Sequence, residues 1–206
     1  MWPAPHEVAV ALRGLFKILR AQRVLFANPA RDIAVGERPR SIPKPLTPEV
    51  LKAVGAAADT NAALKLLVAL IGIHALYPQQ ARMLPLEAID FRRRRLVVAG
   101  IDRPLDGFTG QAAADYLRMR HARWPHTRNP YLFVSLQTVY TDASVTFGWM
   151  HLLLRGVPAT AQQLREDRLL EEAAAGGGDP LHLCALFNIV PETGLRYVRP
   201  LWPTPE

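Results

Sequence analysis

Pro39, Pro43 and Pro45 fall in a stretch from Arg31 to Leu46 that has no apolar periodicity, so it reads as an extended linker. Asn28-Pro29 closes whatever helix precedes it, which puts the linker at 28–46. The 206-residue chain is thereby cut into a short front piece, 1–27, and a remainder, 47–206, long enough to bury one good core. One compact domain with a helical appendage in front is the expected organisation.

In the front piece, Val8, Leu12, Leu15, Phe16 and Leu19 follow the spacing of an amphipathic helix, which should run from Glu7 to Phe26. Arg13, Lys17, Arg20 and Arg23 supply its positive charge, with the first three on a face away from the apolar stripe. Such a face suits a phosphate backbone or plain solvent equally well. Beyond the linker, Thr47-Pro48-Glu49 supplies an N-cap, a proline at the first helical position and an acid in the first turn, opening a helix toward Ala58. A second helix is expected over Asn61 to His74, and a short helical turn from Pro78 through Leu84. Arg95 to Ala99 is the best strand in the chain, reached through Leu86 to Asp90 and followed by a second short strand at Arg103-Pro-Leu. Helices should then cover Gln111 to Arg123, Ser144 to Leu154, Thr160 to Ala175 and Pro180 to Phe187, with Pro130 to Val134 extended between the first two. Gly176-Gly-Gly178 ends the third of these, and a last short helix should carry Tyr197. The fold class is α+β, mostly helical, with a small antiparallel sheet, preceded by a helix and linker.

Composition narrows the partners. Lys and Arg number 25 against 18 acids, a net charge of +7. Residues 1–46 hold eight basic and three acidic side chains, so most of the excess lies there. This concentration favours a polyanion partner whose contacts weaken as salt rises, although a solvated basic face has the same composition. No apolar run approaches the roughly twenty residues that cross a bilayer, since Leu64 to Ile73 soon meets Gln79, Gln80 and Arg82. No secretory signal pattern opens the chain, and the lone Cys184 permits neither an internal disulfide nor a thiol cluster for zinc, so a reducing cytoplasm is expected. The six histidines lack paired metal spacing, so no metal site is expected. Phe91-Arg92-Arg93-Arg94-Arg95 is either a nucleic-acid patch or a solvated turn.

Several short segments occur in an order that resembles the tyrosine recombinases, the phage-integrase family. They are Phe26-Ala-Asn-Pro-Ala after the basic helix, Pro45-Leu-Thr-Pro-Glu, Leu76 through Leu84 to Ile89-Asp90, Pro130-Tyr-Leu-Phe-Val, and Gly178-Asp-Pro-Leu through Leu186 to Leu195-Arg-Tyr197. The likeness runs over nearly the whole chain from about residue 10. It implies that 1–27 is the terminal helix of a DNA-clamp (core-binding) domain and 47–206 an integrase-like catalytic domain. It also implies double-stranded DNA as partner, with a homo-oligomer or a partner recombinase assembled on it.

Family members attack a phosphodiester with a tyrosine and form a 3′-phosphotyrosyl link without metal or nucleotide, so the resemblance implies no cofactor. Two arginines neutralise the phosphorane, a lysine or histidine moves protons, and a final histidine or tryptophan positions the phosphate. By resemblance the nucleophile position matches Tyr197, and the arginine of the His-x-x-Arg motif matches Arg165 in Gln162-Gln-Leu-Arg165. The other positions depart from the pattern. Tyr77 stands where the first arginine belongs, Ile101 where the lysine hairpin falls, Gln162 in place of the motif histidine and Asn188 in place of the last histidine or tryptophan. Arg82 lies five residues past Tyr77, about 140° around a helix, and should point elsewhere. Arg103 is a doubtful substitute for the lysine.

Losing one preorganised donor costs roughly a hundred- to a thousandfold in rate, so ordinary recombinase catalysis by this chain alone is not expected. The reading is a DNA-binding relative with a depleted site, such as an accessory, a regulator or a mobile-element relic. An active divergent recombinase attacking through Tyr197 and an integrase fold recruited to a non-DNA role are the alternatives. Tyr197 as a half-buried helix tyrosine, and Arg165 as a surface ion-pair residue, are the plain readings of those two side chains.

Overall fold

The structure, a computed structural model, describes residues 5–31 and 43–202. The chain divides into two units, 1–42 and 43–206, and each is described by itself. The part of the expected linker at 32–42, with Pro39, lies outside the described residues.

In the first unit, α1 runs over Pro5–Ala21. The expected extension to Phe26 is corrected, because the helix stops five residues earlier. Arg23 adopts the left-handed conformation at φ 59°, and the Val24 amide reaches back to the Leu19 carbonyl at 3.0 Å. That turn closes the helix, and Phe26 is left fully exposed. Apolar periodicity carried the expectation past a helix end that has no glycine to mark it. The Asn28 side chain accepts from the Ala30 amide at 3.0 Å, and Arg13 donates through Nε to the Ala30 carbonyl at 3.2 Å. The segment after the helix is thus pinned back onto it, with Ala9 and Ala30 buried.

The second unit is organised around α3. α2 spans Pro48–Ala58, capped by Thr47, and α3 spans Ala62–Gly72, capped by Asn61, whose side chain accepts from the Ala63 and Leu64 amides. Seven α3 residues are buried: Ala63, Leu64, Leu66, Leu67, Ala69, Leu70 and Ile71. A helix apolar on this many sides belongs inside a core, and α3 packs against α2, α5 (Gly107–Arg123) and α7 (Ala161–Ala175). A short α4, Pro78–Arg82, follows it.

Three strands, β1 (Ile89–Asp90), β2 (Arg95–Val98) and β3 (Ile101–Pro104), form an antiparallel sheet in chain order. Leu96 and Val98 point into the core while Arg95 and Val97 face out. Leu96 pairs with Arg103 and Val98 with Ile101, so both β3 residues share the inward face. The expected strand at Arg103-Pro-Leu is real but starts two residues earlier. The helix expected from Gln111 starts at Gly107, because Asp106 caps it by accepting from the Thr109 amide at 2.9 Å; Gly107 and Gly110 had disguised that first turn. Within Pro130 to Val134, Tyr131 bridges Pro85, and the backbone bonds Leu86 to Pro130 and Leu132 to Leu84 hold it beside the sheet entry.

α6 spans Phe147–Leu153, starting from a Thr146 cap rather than at Ser144. α7, α8 (Pro180–Phe187) and α9 (Pro191–Val198) then build a second small core of Ala75, Leu169, Ala173, Leu183, Phe187, Ile189, Tyr197 and Val198. Gly194 is required there, since a Cβ at this position would meet the Pro180 carbonyl at 2.9 Å. The fold expectation of a mostly helical α+β domain with a small antiparallel sheet is met.

Candidate functional site

The C-terminal end of a helix is the negative end of its dipole. Just past the end of α3, at its C-cap Ile73 and at His74 and Ala75 beyond it, three successive carbonyls each receive an arginine from elsewhere in the chain. Arg168 donates through Nε to Ile73 at 3.1 Å, Arg103 through Nη1 to His74 at 2.9 Å, and Arg165 through Nε to Ala75 at 2.9 Å. Ala75 itself lies in the left-handed region at φ 53°, which turns the chain away from the helix toward Tyr77.

The three cations are not equivalent. Arg168 is neutralised by Glu171 at 3.0 Å and Glu172 at 2.6 Å. Arg165 is 1% exposed and Arg103 6% exposed, and each keeps a buried nitrogen without a hydrogen-bond partner, Nη2 of Arg165 and Nε of Arg103. Burial, and then the neighbouring Arg165 charge, pull the Arg103 guanidinium below its ordinary value. His74 is buried beside them, its Nε2 3.0 Å from Asp106 Oδ2 and 3.2 Å from Thr109 Oγ1. Burial lowers the pKa of His74, and the Arg103 and Arg168 charges add to that, against the opposing pull of Asp106.

Tyr77 covers Arg165. Its ring centroid lies 3.6 Å from Arg165 Cζ, a close cation–π stack, while Tyr77 as a whole is 38% exposed. The Tyr77 amide is held by Gln80 Oε1 at 2.9 Å, which fixes the start of α4.

Tyr197 approaches the same cluster from α9. It is 1% exposed. Burial pushes its phenol up, Glu166 and Tyr77 push further, and Arg165 and Arg196 pull against them. Arg196 donates to Glu166 at 3.1 Å, and Gln162 donates to the same Glu166 oxygen at 2.8 Å. The plain reading of Arg165 as a surface ion-pair residue fails because the side chain is buried. Tyr197 is more fully buried than a half-buried helix tyrosine.

The residues singled out in the sequence separate in space. Tyr77, Arg165 and Tyr197 lie together, with Gln162 exposed one turn before Arg165 on α7. Ile101 is on the inward face of β3. Asn188 is exposed in the left-handed conformation, φ 53° and ψ 52°, at the end of α8. That conformation suits asparagine, so a backbone demand accounts for the residue there. Arg82 turns away as expected, donating to Ser144 Oγ at 3.0 Å and the Val145 carbonyl at 2.7 Å. In the first unit Lys17, Arg20 and Arg23 are exposed, while Arg13 is part-buried on the Ala30 carbonyl. The Phe91–Arg94 turn is exposed, with Arg93 near Asp90.

Known structures share this architecture. XerA recombinase aligns with a TM-score of 0.64 at 16% identity, over 95% of this chain and 71% of that one. The fold is that of a tyrosine recombinase catalytic domain. The Tn1549 transposon integrase, in complex with circular intermediate DNA, gives 0.60 at 15% identity over 93% of this chain and 73% of that one. XerH site-specific recombinase, bound to difH substrate before cleavage, gives 0.59 at 15% identity, and this chain spans only 59% of XerH. No protein-family model matches the sequence, and no curated protein matches it.

Within this tyrosine recombinase fold, Arg103 is the buried cation beside Arg165 that sequence reasoning undervalued. Its signal was present, since a charged residue two positions after Ile101 shares a strand face with it. Reading that signal required the β2–β3 register. Among the described residues no group of three or more His, Cys, Asp or Glu gathers as a metal site, and no helix is long and apolar enough to cross a membrane.

Proposed function

We propose that this chain binds double-stranded DNA as a relative of the recombinases and integrases, with a phosphodiester site that is held shut and catalytically impaired when the chain acts alone. The observation that carries the reading is the stack of Tyr77 on Arg165. The position where a first arginine would add charge instead supplies a ring that covers the remaining one. A phosphodiester needs an exposed cation clamp and an ionisable nucleophile. Here Arg165 is sealed, and Tyr197 is buried with its phenol pushed up.

Three further observations support DNA as partner. XerH and the Tn1549 integrase are bound to DNA in their structures. The net charge is +7, with eight basic residues against three acidic in the first 46. Lys17 and Arg20 are exposed on α1, and Arg23 just past its end. Mobility shifts at low salt over varied duplexes should show binding that weakens steeply with salt; no affinity for any duplex would remove the proposal.

The approach of Tyr197 to Arg165 favours a second reading, an active divergent recombinase whose site opens on assembly with a second copy or a partner recombinase. Nicked suicide duplexes carrying its attachment site would then trap a covalent adduct that Tyr197→Phe abolishes. Adduct persisting in that variant would exclude Tyr197 as nucleophile.

A further inference from the structure

The geometry points to Arg103 as the second anion-contacting arginine of the Arg165 site, delivered from β3 in place of the arginine that position 77 lacks. This rests on the reading above that the Arg165 site takes a phosphate diester.

The β2–β3 register sets the direction. Arg103 is opposite Leu96 and Ile101 opposite Val98, and both β2 partners are buried. The Arg103 side chain therefore enters the core from the sheet and stops at the His74 carbonyl, the next carbonyl along the backbone from the one that anchors Arg165. Two guanidiniums are thus fastened to adjacent peptide groups, one from a strand and one from α7.

Satisfying the carbonyls of the turn after α3 leaves part of this arrangement unexplained. A single N–H satisfies each carbonyl, yet Arg103 Nε and Arg165 Nη2 remain buried and unused. Arg168, the third member of the clamp, has its two glutamates. No carboxylate pairs with Arg103 or Arg165 among the described residues, and the adjacent Asp106 is turned to His74. Two close, buried, unpaired cations are costly unless an anion joins them, and a guanidinium fork matches phosphate geometry. Arg103 would share the charge of the anion and would move no proton, since a guanidinium does not deprotonate in the working range.

The test uses the full chain with ¹⁵N-labelled arginine, titrated with inorganic phosphate at constant ionic strength. The Nε–Hε signals of Arg103 and Arg165, assigned through Arg103→Lys and Arg165→Lys, are followed in the wild type and in Tyr77→Ala, which lacks the covering ring. Both signals should move along one common saturation curve, tighter in Tyr77→Ala, and Arg103→Lys should weaken the Arg165 response by about tenfold. If Arg165 moves and Arg103 does not, Arg103 only holds the His74 carbonyl of the turn after α3, and the site reading survives without it. If neither moves in either background, the anion site itself fails and the proposal falls with it. The wild-type and Tyr77→Ala titrations decide these cases even where a lysine variant loses its fold.

Discussion

Replacing Tyr77 with alanine should raise affinity for anions and DNA rather than lower it. The ring lies 3.6 Å from Arg165 Cζ, over a guanidinium that is 1% exposed. A desolvated cation–π contact is worth about 2 kcal/mol. An anion reaching Arg165 must first displace the ring, so its apparent affinity is reduced by the rarity of the open state. About 2 kcal/mol corresponds to a factor of about thirty, the upper bound on the gain in Tyr77→Ala. The same substitution should lower the stability of the fold by up to about 2 kcal/mol, because the stack contributes to both. Tyr77→Phe keeps the ring and should bind within about twofold of wild type. Fluorescence anisotropy with a labelled duplex at low salt, beside thermal melts of all three proteins, measures both effects. One added phosphate contact should also steepen the salt dependence by about one unit in Tyr77→Ala. The reasoning is refuted if Tyr77→Ala is folded, less stable, and binds no tighter than Tyr77→Phe.

Gly194→Ala should cost about 1–3 kcal/mol in thermal or denaturant unfolding, because its Cβ would meet the Pro180 carbonyl, a backbone atom, at 2.9 Å. His74 is held below its ordinary 6.5 by burial, so the unfolded chain binds the extra proton first as pH falls. Stability should be full above 6.5 and decline below it, by at most about 1.4 kcal/mol per pH unit, with His74→Asn flattening that slope in melts across pH. Tyr116 is pushed by burial from 10.0 to about 12, so its contribution is intact below 10.0 and lost as pH rises toward 12. Tyr116→Phe should remove that alkaline loss and cost about 1–3 kcal/mol at neutral pH by orphaning the Val134 amide, which the hydroxyl accepts at 3.1 Å.

Helix starts were the most legible part of the fold, because their signals are local. Thr47-Pro48, Asn61 and Pro180 each open the expected helix within a residue or two. The end of α1 was not legible: a non-glycine residue, Arg23, takes the left-handed turn, and no sequence rule marks it. The start of α5 was hidden because glycines in a first turn read as loop until the Asp106 cap is seen. At the site, Arg165 and Tyr197 were legible through resemblance and order alone. The cover on Arg165 was not, because Tyr77 reads as a lost arginine until its ring is placed. Arg103 was undervalued because its placement depends on which face of a two-residue alternation meets the turn after α3, a question of strand register.

The arginine clamp at the end of α3 also bears on how the chain folds. Its three donors lie 29, 90 and 95 residues beyond the carbonyls they hold. The body of α3 can form from local contacts, but the three carbonyls that follow it stay open until β3 and α7 have docked, and bringing distant segments together is the slow part of folding. The turn that positions Tyr77 is therefore completed by long-range assembly. In a pulsed hydrogen-exchange refolding experiment, the Leu76 amide, bonded to Leu70, should gain protection with the amides of α7 and later than those in the middle of α3.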